Sequence, residues 1–305
     1  MGLFRKRVVA YNISENSKRT ILGFVRYGKI KIRGYHQGIV PPDPEDLIVM
    51  NIPWDIIQTL FLELPPVKKT NDMIRAAEYE VRRATGIEED ITVGCVCPYF
   101  GKSFVVFVKN SDFKRFLDLN NINFVPDVSY PNILAELLLI KKLPGYWVYI
   151  VIGETSSGIV VMNGNSILNM RMLDITVNEV SHIVKEETGF ELYEIESSGN
   201  EELLESARKI VEAISDDIIG ILEREITISV NTTEIEKITL DKITGFSILC
   251  DSSIVKSLAV HSQSETIKYV EPVFNIHPKS PIRLSEYGLL YRGGIELGKV
   301  KSITW

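Results

Sequence analysis

Two stretches of this chain begin with the same order of strand-forming segments. Residues 7–36 read as three short strands, VVAYNI, RTILGFVRYG and KIKIRGY. From Tyr146 the order starts again with WVYIVIG, followed by GIVVM and NSILNMRM on either side of Asn163-Gly164. In residues 7–36 the alternation of apolar and charged residues predicts an antiparallel meander with one face exposed to water. In the second stretch, Asn-Gly is typical of a type I′ hairpin turn. Each meander leads into helical patterns, so a duplicated α/β plan is predicted.

The length and the break between the two stretches predict the domain organisation. A chain of 305 residues is expected to form two domains at roughly 100–200 residues each. We expect one half over residues 1–145 and the other over residues 146–305. The first half has additional elements over about residues 50–120, in the order strand, helix, strand, strand. Their signals are an apolar strand at 56–64, a helix capped by Asn71 and a hairpin around Tyr99-Phe100-Gly101.

Charge is distributed unevenly along the chain. The net charge is −6, yet residues 1–35 carry nine Lys and Arg against one acid, a local charge of +8, so the other 270 residues carry −14. One interpretation is a solvated meander balanced by acidic helices elsewhere. The other is a basic face lying near anionic lipid or an acidic partner. No basic groove with interleaved aromatic residues is present in the sequence, so nucleic acid is not an expected partner.

Cysteine use and hydropathy indicate a cytosolic protein. The three cysteines cannot form a disulfide framework, and Cys95-x-Cys97 lies in an alternating stretch that predicts core packing rather than a metal site. The basic start MGLFRKRVV lacks the apolar segment of a secretory signal, and Lys6 argues against myristoylation at Gly2. The apolar runs at residues 133–140 and 146–153 are far shorter than the ~20 residues that a bilayer requires.

Several local motifs follow one another in an order known from one protein family. They are the opening MGLFRKRVVAYNISENSKR, the elements at 56–109, the hairpin YIVIGETSSGIVVMNGNSILNMRML, the segment FSILCDSS and the C-terminal LSEYGLLYRGG. The sequence resembles the PilM family of type IV pilus assembly proteins and, more distantly, the cytoplasmic part of GspL proteins and FtsA. This resemblance implies an α/β, actin-like fold of two ribonuclease-H-like halves, with an inserted strand–helix–strand–strand subdomain in the first half.

Nucleotide chemistry in this fold depends on a small set of residue types. Two carboxylates, one at each phosphate hairpin, hold Mg²⁺ beside the phosphates. Small residues in the turns let backbone N–H groups approach phosphate oxygens. A pair of glycines in a third segment lets the backbone pass close to the nucleotide.

Compared with that family pattern, this sequence departs at most positions. The first Asp is Asn12, the first turn glycine is Ser14, and the second Asp is Val151. Asp251-Ser252 replaces the glycine pair, which adds bulk and negative charge. The small turn residues that remain are Gly153, Ser156 and Ser157, and Arg19 stands where the family has Lys.

The resemblance therefore implies a degenerate nucleotide pocket formed by Asn12, Ser14, Arg19, Gly153, Ser156, Ser157, Asp251 and Ser252. We expect no catalytic residue, no metal and no cofactor. The alternatives are an ATP-binding actin-like ATPase or filament protein of the FtsA type, and a GspL-like adaptor of type II secretion.

The function implied by the resemblance is that of a scaffold in a pilus or secretion complex. Such a scaffold is cytoplasmic and is recruited to the inner face of the inner membrane by the N-terminal cytoplasmic peptide of a single-span PilN-type protein. The motor ATPase is a further expected partner, and the basic N-terminal region is expected to contact the membrane peripherally. The peptide groove is expected beside the inserted subdomain, at residues 56–108.

Overall fold

The structure is a computed structural model that describes residues 7–14, 17–26, 29–65, 70–261, 267–276 and 282–298. Gly2, Lys6 and the predicted turn at Tyr27-Gly28 lie outside the described residues. The chain divides into two compact units. Unit one is Met1–Lys141 with Phe274–Trp305, and unit two is Lys142–Val273.

Both units mix strands and helices. The elements of the first part of the chain are β1 (Val8–Ile13), β2 (Lys18–Arg26), β3 (Lys29–Gln37), β4 (Leu47–Ile52), β5 (Gln58–Glu63), α1 (Thr70–Thr85), β6 (Ile91–Tyr99), β7 (Lys102–Lys109), α2 (Asn110–Leu119), β8 (Val128–Pro131) and α3 (Asn132–Leu137). They are followed by β9 (Tyr146–Ile152), β10 (Ser157–Asn163), β11 (Ser166–Leu173), α4 (Val177–Thr188), α5 (Leu192–Ser198), α6 (Glu201–Ala213), α7 (Ser215–Asn231), β12 (Ile243–Cys250), α8 (Ser253–His261) and α9 (Leu284–Glu296).

The main sheet of unit one has the order β3-β2-β1-β4-β8. Strands β1, β2 and β3 form the predicted antiparallel meander, while β1–β4 and β4–β8 are parallel pairs. The buried side chain of Asn51, within β4, bonds to the end of β1, because its amide oxygen accepts from the Ile13 N–H and its amide nitrogen donates to the Ile13 carbonyl, both at 2.8 Å. Asn51 thus satisfies both backbone groups at the end of β1.

The predicted strand–helix–strand–strand insertion is confirmed. Its sheet has the order β5-β7-β6, and α1 packs on one face through Ala77 and Val81. A register shift between Val93 and Cys95 marks a bulge at Gly94. Both Cys95 and Cys97 are buried in the core, as predicted, and burial raises the pKa of the Cys95 thiol well above its usual value.

The C-terminal helix packs in unit one, which differs from the expected division at residue 145. Residues 274–305, which we expected in the second half, belong to the first unit because α9 lies against β1, β2, β4 and α3. Close approach at three glycines permits this packing. A Cβ at Gly288 would lie 2.2 Å from the Ala135 carbonyl oxygen, and at Gly293 and Gly294 it would lie 2.5 Å from valine methyl groups.

Unit two is built on a sheet of order β11-β10-β9-β12, in which β9 and β12 are parallel. The predicted β10–β11 hairpin forms, but of Asn163 and Gly164 only the glycine has a positive φ (+56°), so the type I′ turn expected at this pair is not adopted. The predicted capping box of Thr176 and Glu179 opens α4, which ends at Gly189 with φ +79°. The single helix expected over residues 201–225 is two helices, because the backbone breaks at Ile214.

Candidate functional site

The first group of predicted site residues lies on the β1–β2 hairpin of unit one. Asn12 and Arg19 are directly opposite each other in the antiparallel pair. Ser14 closes the turn, because its N–H donates to the Ser17 carbonyl at 2.8 Å and its carbonyl accepts from the Ser17 N–H at 3.4 Å. The hairpin therefore brings Asn12, Ser14 and Arg19 together within one unit.

Asn12 connects β1 to two helices. Its amide nitrogen donates to Ser285 Oγ at 3.1 Å, and its amide oxygen accepts from Asn132 Nδ2 at 3.0 Å. Ser285 is in the first turn of α9 and Asn132 begins α3. At the position where the family has a metal-binding Asp, this chain thus has a neutral amide that holds secondary structure elements together.

Arg19 forms a buried ion pair. Its Nη1 lies 2.9 Å from Glu286 Oε1, and the Glu286 side chain has no solvent exposure. The other carboxylate oxygen of Glu286 accepts from the backbone N–H of Arg283 at 2.9 Å, at the start of α9. A buried carboxylate requires such a partner, because an unpaired charge in the interior is strongly destabilising. The guanidinium at the position of the family's phosphate-binding lysine is thus held in an internal ion pair with Glu286.

The second group lies on the β9–β10 hairpin of unit two. Val151 is fully buried, between Gly158 on β10 and Leu249 on β12. The buried hydroxyl of Ser157 accepts from the Gly153 N–H at 3.1 Å. This N–H is one of the backbone donors that a phosphate would need, and here the hairpin uses it internally.

The carbonyl groups of the same loop bind the start of α4. The Gly153 carbonyl accepts from Val177 N–H at 2.9 Å, and the Glu154 carbonyl accepts from Asn178 N–H at 3.1 Å. The first N–H groups of a helix have no partner within the helix. The loop supplies acceptors for two of them, which gives Gly153 a structural function in this turn. Ser156 is half-buried in the same loop.

The third group, Asp251 and Ser252, lies between β12 and α8, with Asp251 half-buried. Ser252 is buried and caps the helix, because its hydroxyl accepts from Val255 N–H at 3.2 Å. The carboxylate of Glu196, on α5, lies at the same helix start. Its Oε1 accepts from Ser252 Oγ at 3.0 Å, from Ser253 Oγ at 2.9 Å and from Ile254 N–H at 3.1 Å.

An internal anion is thus bound at the segment where the family pattern brings its glycine pair close to the nucleotide. A carboxylate is favoured at a helix N-terminus by the unpaired N–H groups and the helix dipole. Glu196, 55 residues upstream of Asp251, supplies that carboxylate, and one of its two oxygens, Oε1, accepts all three hydrogen bonds. Nucleotide phosphate oxygens would compete for the same donors.

Two acidic residues of these sites were missed in the sequence. Glu286 is the one acid of the motif LSEYGLLYRGG, and an acid beside an apolar run was a signal that a buried partner exists. Glu196 follows Glu191 and Glu194 in a short acidic helix, and nothing in that local pattern distinguishes it from a solvated residue. Within the described residues, no three His, Cys, Asp or Glu side chains are grouped so as to hold a metal ion.

No helix in the part of the chain that the structure describes is both long enough and apolar enough to cross a membrane.

Comparison with known proteins shows the fold. No protein-family model and no curated protein matches the chain. Among solved structures, it is similar to a chain of the "PilM-PilN type IV pilus biogenesis complex" at 13% identity, with a TM-score of 0.58, over 97% of this chain and 99% of that chain. The cytoplasmic domain of EpsL, from the type II secretion system of Vibrio cholerae, matches at 10% identity and a TM-score of 0.43, over 95% of each chain.

A third similar structure is an archaeal actin homologue in complex with ADP, at 14% identity and a TM-score of 0.42, over 95% of this chain and 99% of that one. The similarity to the PilM–PilN chain, at a TM-score of 0.58 and 13% identity, is a similarity of fold. The predicted actin-like fold with its insertion in the first half is confirmed, and so is the resemblance to the PilM chain at that level.

Proposed function

We propose that this chain is a non-enzymatic adaptor of a type IV pilus or related secretion complex at the inner membrane. The observation that carries the proposal is Glu196, whose carboxylate takes three donors at the start of α8. The ion pair of Arg19 with Glu286 supports it, since it engages a second group that could have held phosphate. The fold shared with a chain of a PilM–PilN complex provides the context.

The residues of the pocket do not fit Mg·ATP. Asn12 and Val151 stand where two metal-binding carboxylates are required, and Val151 is an apolar side chain buried in the sheet. Each lost charge-assisted contact is typically worth about 1.5–3 kcal/mol. Two such losses weaken a micromolar site by about two to four orders of magnitude, at about 1.4 kcal/mol per tenfold.

Isothermal titration with ATP, with and without Mg²⁺, tests the degenerate pocket. We expect no heat of binding at millimolar ATP in either condition. A dissociation constant below about 100 μM would overturn the proposal. Nucleotide-dependent polymerisation, followed by light scattering on the same sample, would favour a filament protein of the FtsA type instead.

The proposed partner is the N-terminal cytoplasmic peptide of a single-span PilN-type protein, bound beside the inserted subdomain. Around the core cluster that joins the main sheet to β7 and α2, several apolar side chains are only partly buried. They are Leu22, Ile39, Ile48, Ile56, Ile57, Phe116 and Phe124. Partly exposed aliphatic and aromatic side chains at the border of a subdomain are suited to a short apolar peptide. Through this partner the chain would lie at the inner face of the membrane and connect to the motor ATPase.

A labelled peptide copying the cytoplasmic N-terminus of the PilN-type protein from the same cell tests this proposal. We expect the double substitution Ile57→Ser and Phe116→Ser to weaken binding at least about tenfold, because both side chains border the proposed groove. The matched control is Phe190→Ser with Tyr193→Ser, which removes two exposed apolar side chains from unit two. Equal loss in both variants, or none in the first, would contradict the proposed location.

A further inference from the structure

Strand β3 is the outermost strand on one side of the main sheet of unit one. Within the described residues it pairs with β2 alone, through eight residue pairs between Lys29 and Gln37 with a register shift at Arg33. An edge strand presents one row of backbone N–H and C=O groups that no neighbouring strand uses. Such a row can bind an extended segment of another chain by strand addition.

One face of β3 is basic. The exposed residues Lys29, Lys31 and Arg33 alternate along the strand, so neighbouring members are about 7 Å apart. No ion pair joins any of the three to a residue that the structure describes. Phe24, on β2, is paired with Lys31 in the register, and the centre of its ring lies 5.9 Å from the Arg33 guanidinium.

The other face of β3 is apolar. Ile30 and Ile32 are half-buried and are paired with Val25 and Gly23 on β2. A Cβ at Gly23 would meet Leu290 of α9, and Val25 approaches Gly294 of the same helix, so this face of the sheet is the one that α9 covers. A strand added beside β3 would therefore meet cations on one face and an extension of the apolar core on the other.

This pattern distinguishes between occupants of the edge. A second copy of β3 would set cation against cation, because an antiparallel pair centred on Lys31 places Lys29 opposite Arg33. Like charges directly opposite each other are destabilising, whereas opposite charges stabilise the pair. The cations therefore act against self-pairing and select an acidic strand.

An anionic membrane is the other ligand that a basic row attracts. Lipid headgroups would use Lys29, Lys31 and Arg33, but neither the outer backbone edge of residues 29–33, which no described strand pairs with, nor the half-buried Ile30 and Ile32. An acidic strand uses all three features of the edge.

We propose that the β3 edge binds an extended segment of a partner protein in which acidic residues alternate with apolar ones. The acidic side chains would lie opposite Lys29, Lys31 and Arg33, and the apolar ones beside Ile30 and Ile32. This proposal does not depend on the proposed adaptor function, because it rests on residues outside the pocket and outside the inserted subdomain.

The test uses the full chain and a labelled synthetic heptapeptide in which Asp or Glu alternates with Val, measured by fluorescence anisotropy. A peptide of the same composition, with its acids and valines in two blocks, controls for net charge. A third peptide is N-methylated at alternate residues, which removes the donors that face β3 while keeping every side chain. We expect the alternating peptide to bind at least about tenfold more tightly than either control.

Charge reversal at β3 completes the test. Lys31→Glu should weaken the alternating peptide about tenfold or more, whereas Lys114→Glu, which reverses an exposed cation on α2, should leave it unchanged. Equal binding of the methylated peptide, or an unaffected Lys31→Glu variant, would overturn strand addition. Absence of peptide binding, together with sedimentation on phosphatidylglycerol vesicles that Lys31→Glu abolishes, would also overturn it and assign the cations to a membrane surface.

Discussion

The contact between α9 and α3 leads to the sharpest prediction about stability, the effect of Gly288→Ala. An added Cβ at Gly288 would lie 2.2 Å from the carbonyl oxygen of Ala135 and 2.4 Å from its carbonyl carbon. Real Cβ atoms are essentially never closer than 3.0 Å to such atoms. The two helices must therefore separate by about 0.8 Å, and since the opposing atoms belong to the backbone, no side-chain rotation relieves the contact.

The sign of the effect follows from two opposing terms. Alanine favours a helix interior over glycine by about 1 kcal/mol. Overpacking a close-packed core costs about 1–3 kcal/mol, and a backbone contact this short belongs at the upper end or beyond. Separation at Gly288 also disturbs Gly293 and Gly294, which are packed against valines of β1 and β2. We expect a net loss of about 2 kcal/mol or more in the free energy of unfolding of unit one.

A matched substitution isolates the packing effect. Gly220 lies inside α7, is exposed, and would have no atom within 4 Å of an added Cβ. Gly220→Ala should therefore stabilise unit two by about 1 kcal/mol, the opposite sign for the same chemical change. Urea unfolding followed by hydrogen exchange and mass spectrometry reports the two units separately. If Gly288→Ala were as stable as the unsubstituted protein, or more so, the close-approach argument would be refuted.

Two further predictions concern charges at the candidate site. Arg19→Gln leaves the buried Glu286 carboxylate without its ionic partner and should lower the free energy of unfolding by about 3–5 kcal/mol in a urea titration. Arg171→Gln, which breaks a half-exposed pair with an acidic residue of α7, should cost less than about 1 kcal/mol, and equal losses would contradict the argument from burial. Glu196→Ala removes the acceptor of three hydrogen bonds at the start of α8, so the Ile254 amide should exchange faster with deuterium, and unchanged exchange would mean that the carboxylate does not hold this helix start.

Much of the fold could be predicted because its signals are local. The alternation in residues 7–36, the insertion and the capping box at Thr176 each depend on neighbours within a few positions, and all three are present. The departures from a nucleotide-binding pattern at Asn12 and Val151 were equally visible, since a residue type is read directly. The local signal was wrong at Ile214, where the apolar periodicity continues through residues 201–225 and predicts one helix, but the backbone breaks into two.

Contacts between residues far apart in the chain came only from the tertiary structure. The sequence around Arg19 does not predict that its guanidinium pairs with Glu286, 267 positions later. The sequence around Ser252 likewise does not predict its hydrogen bond to Glu196. Composition and periodicity report which side chains must be buried, but not which buried charges meet or which helix a glycine lets approach. Those pairings are decided by packing. A charge is tolerated in the interior only beside a partner, and two backbone segments approach closely only where no side chain lies between them.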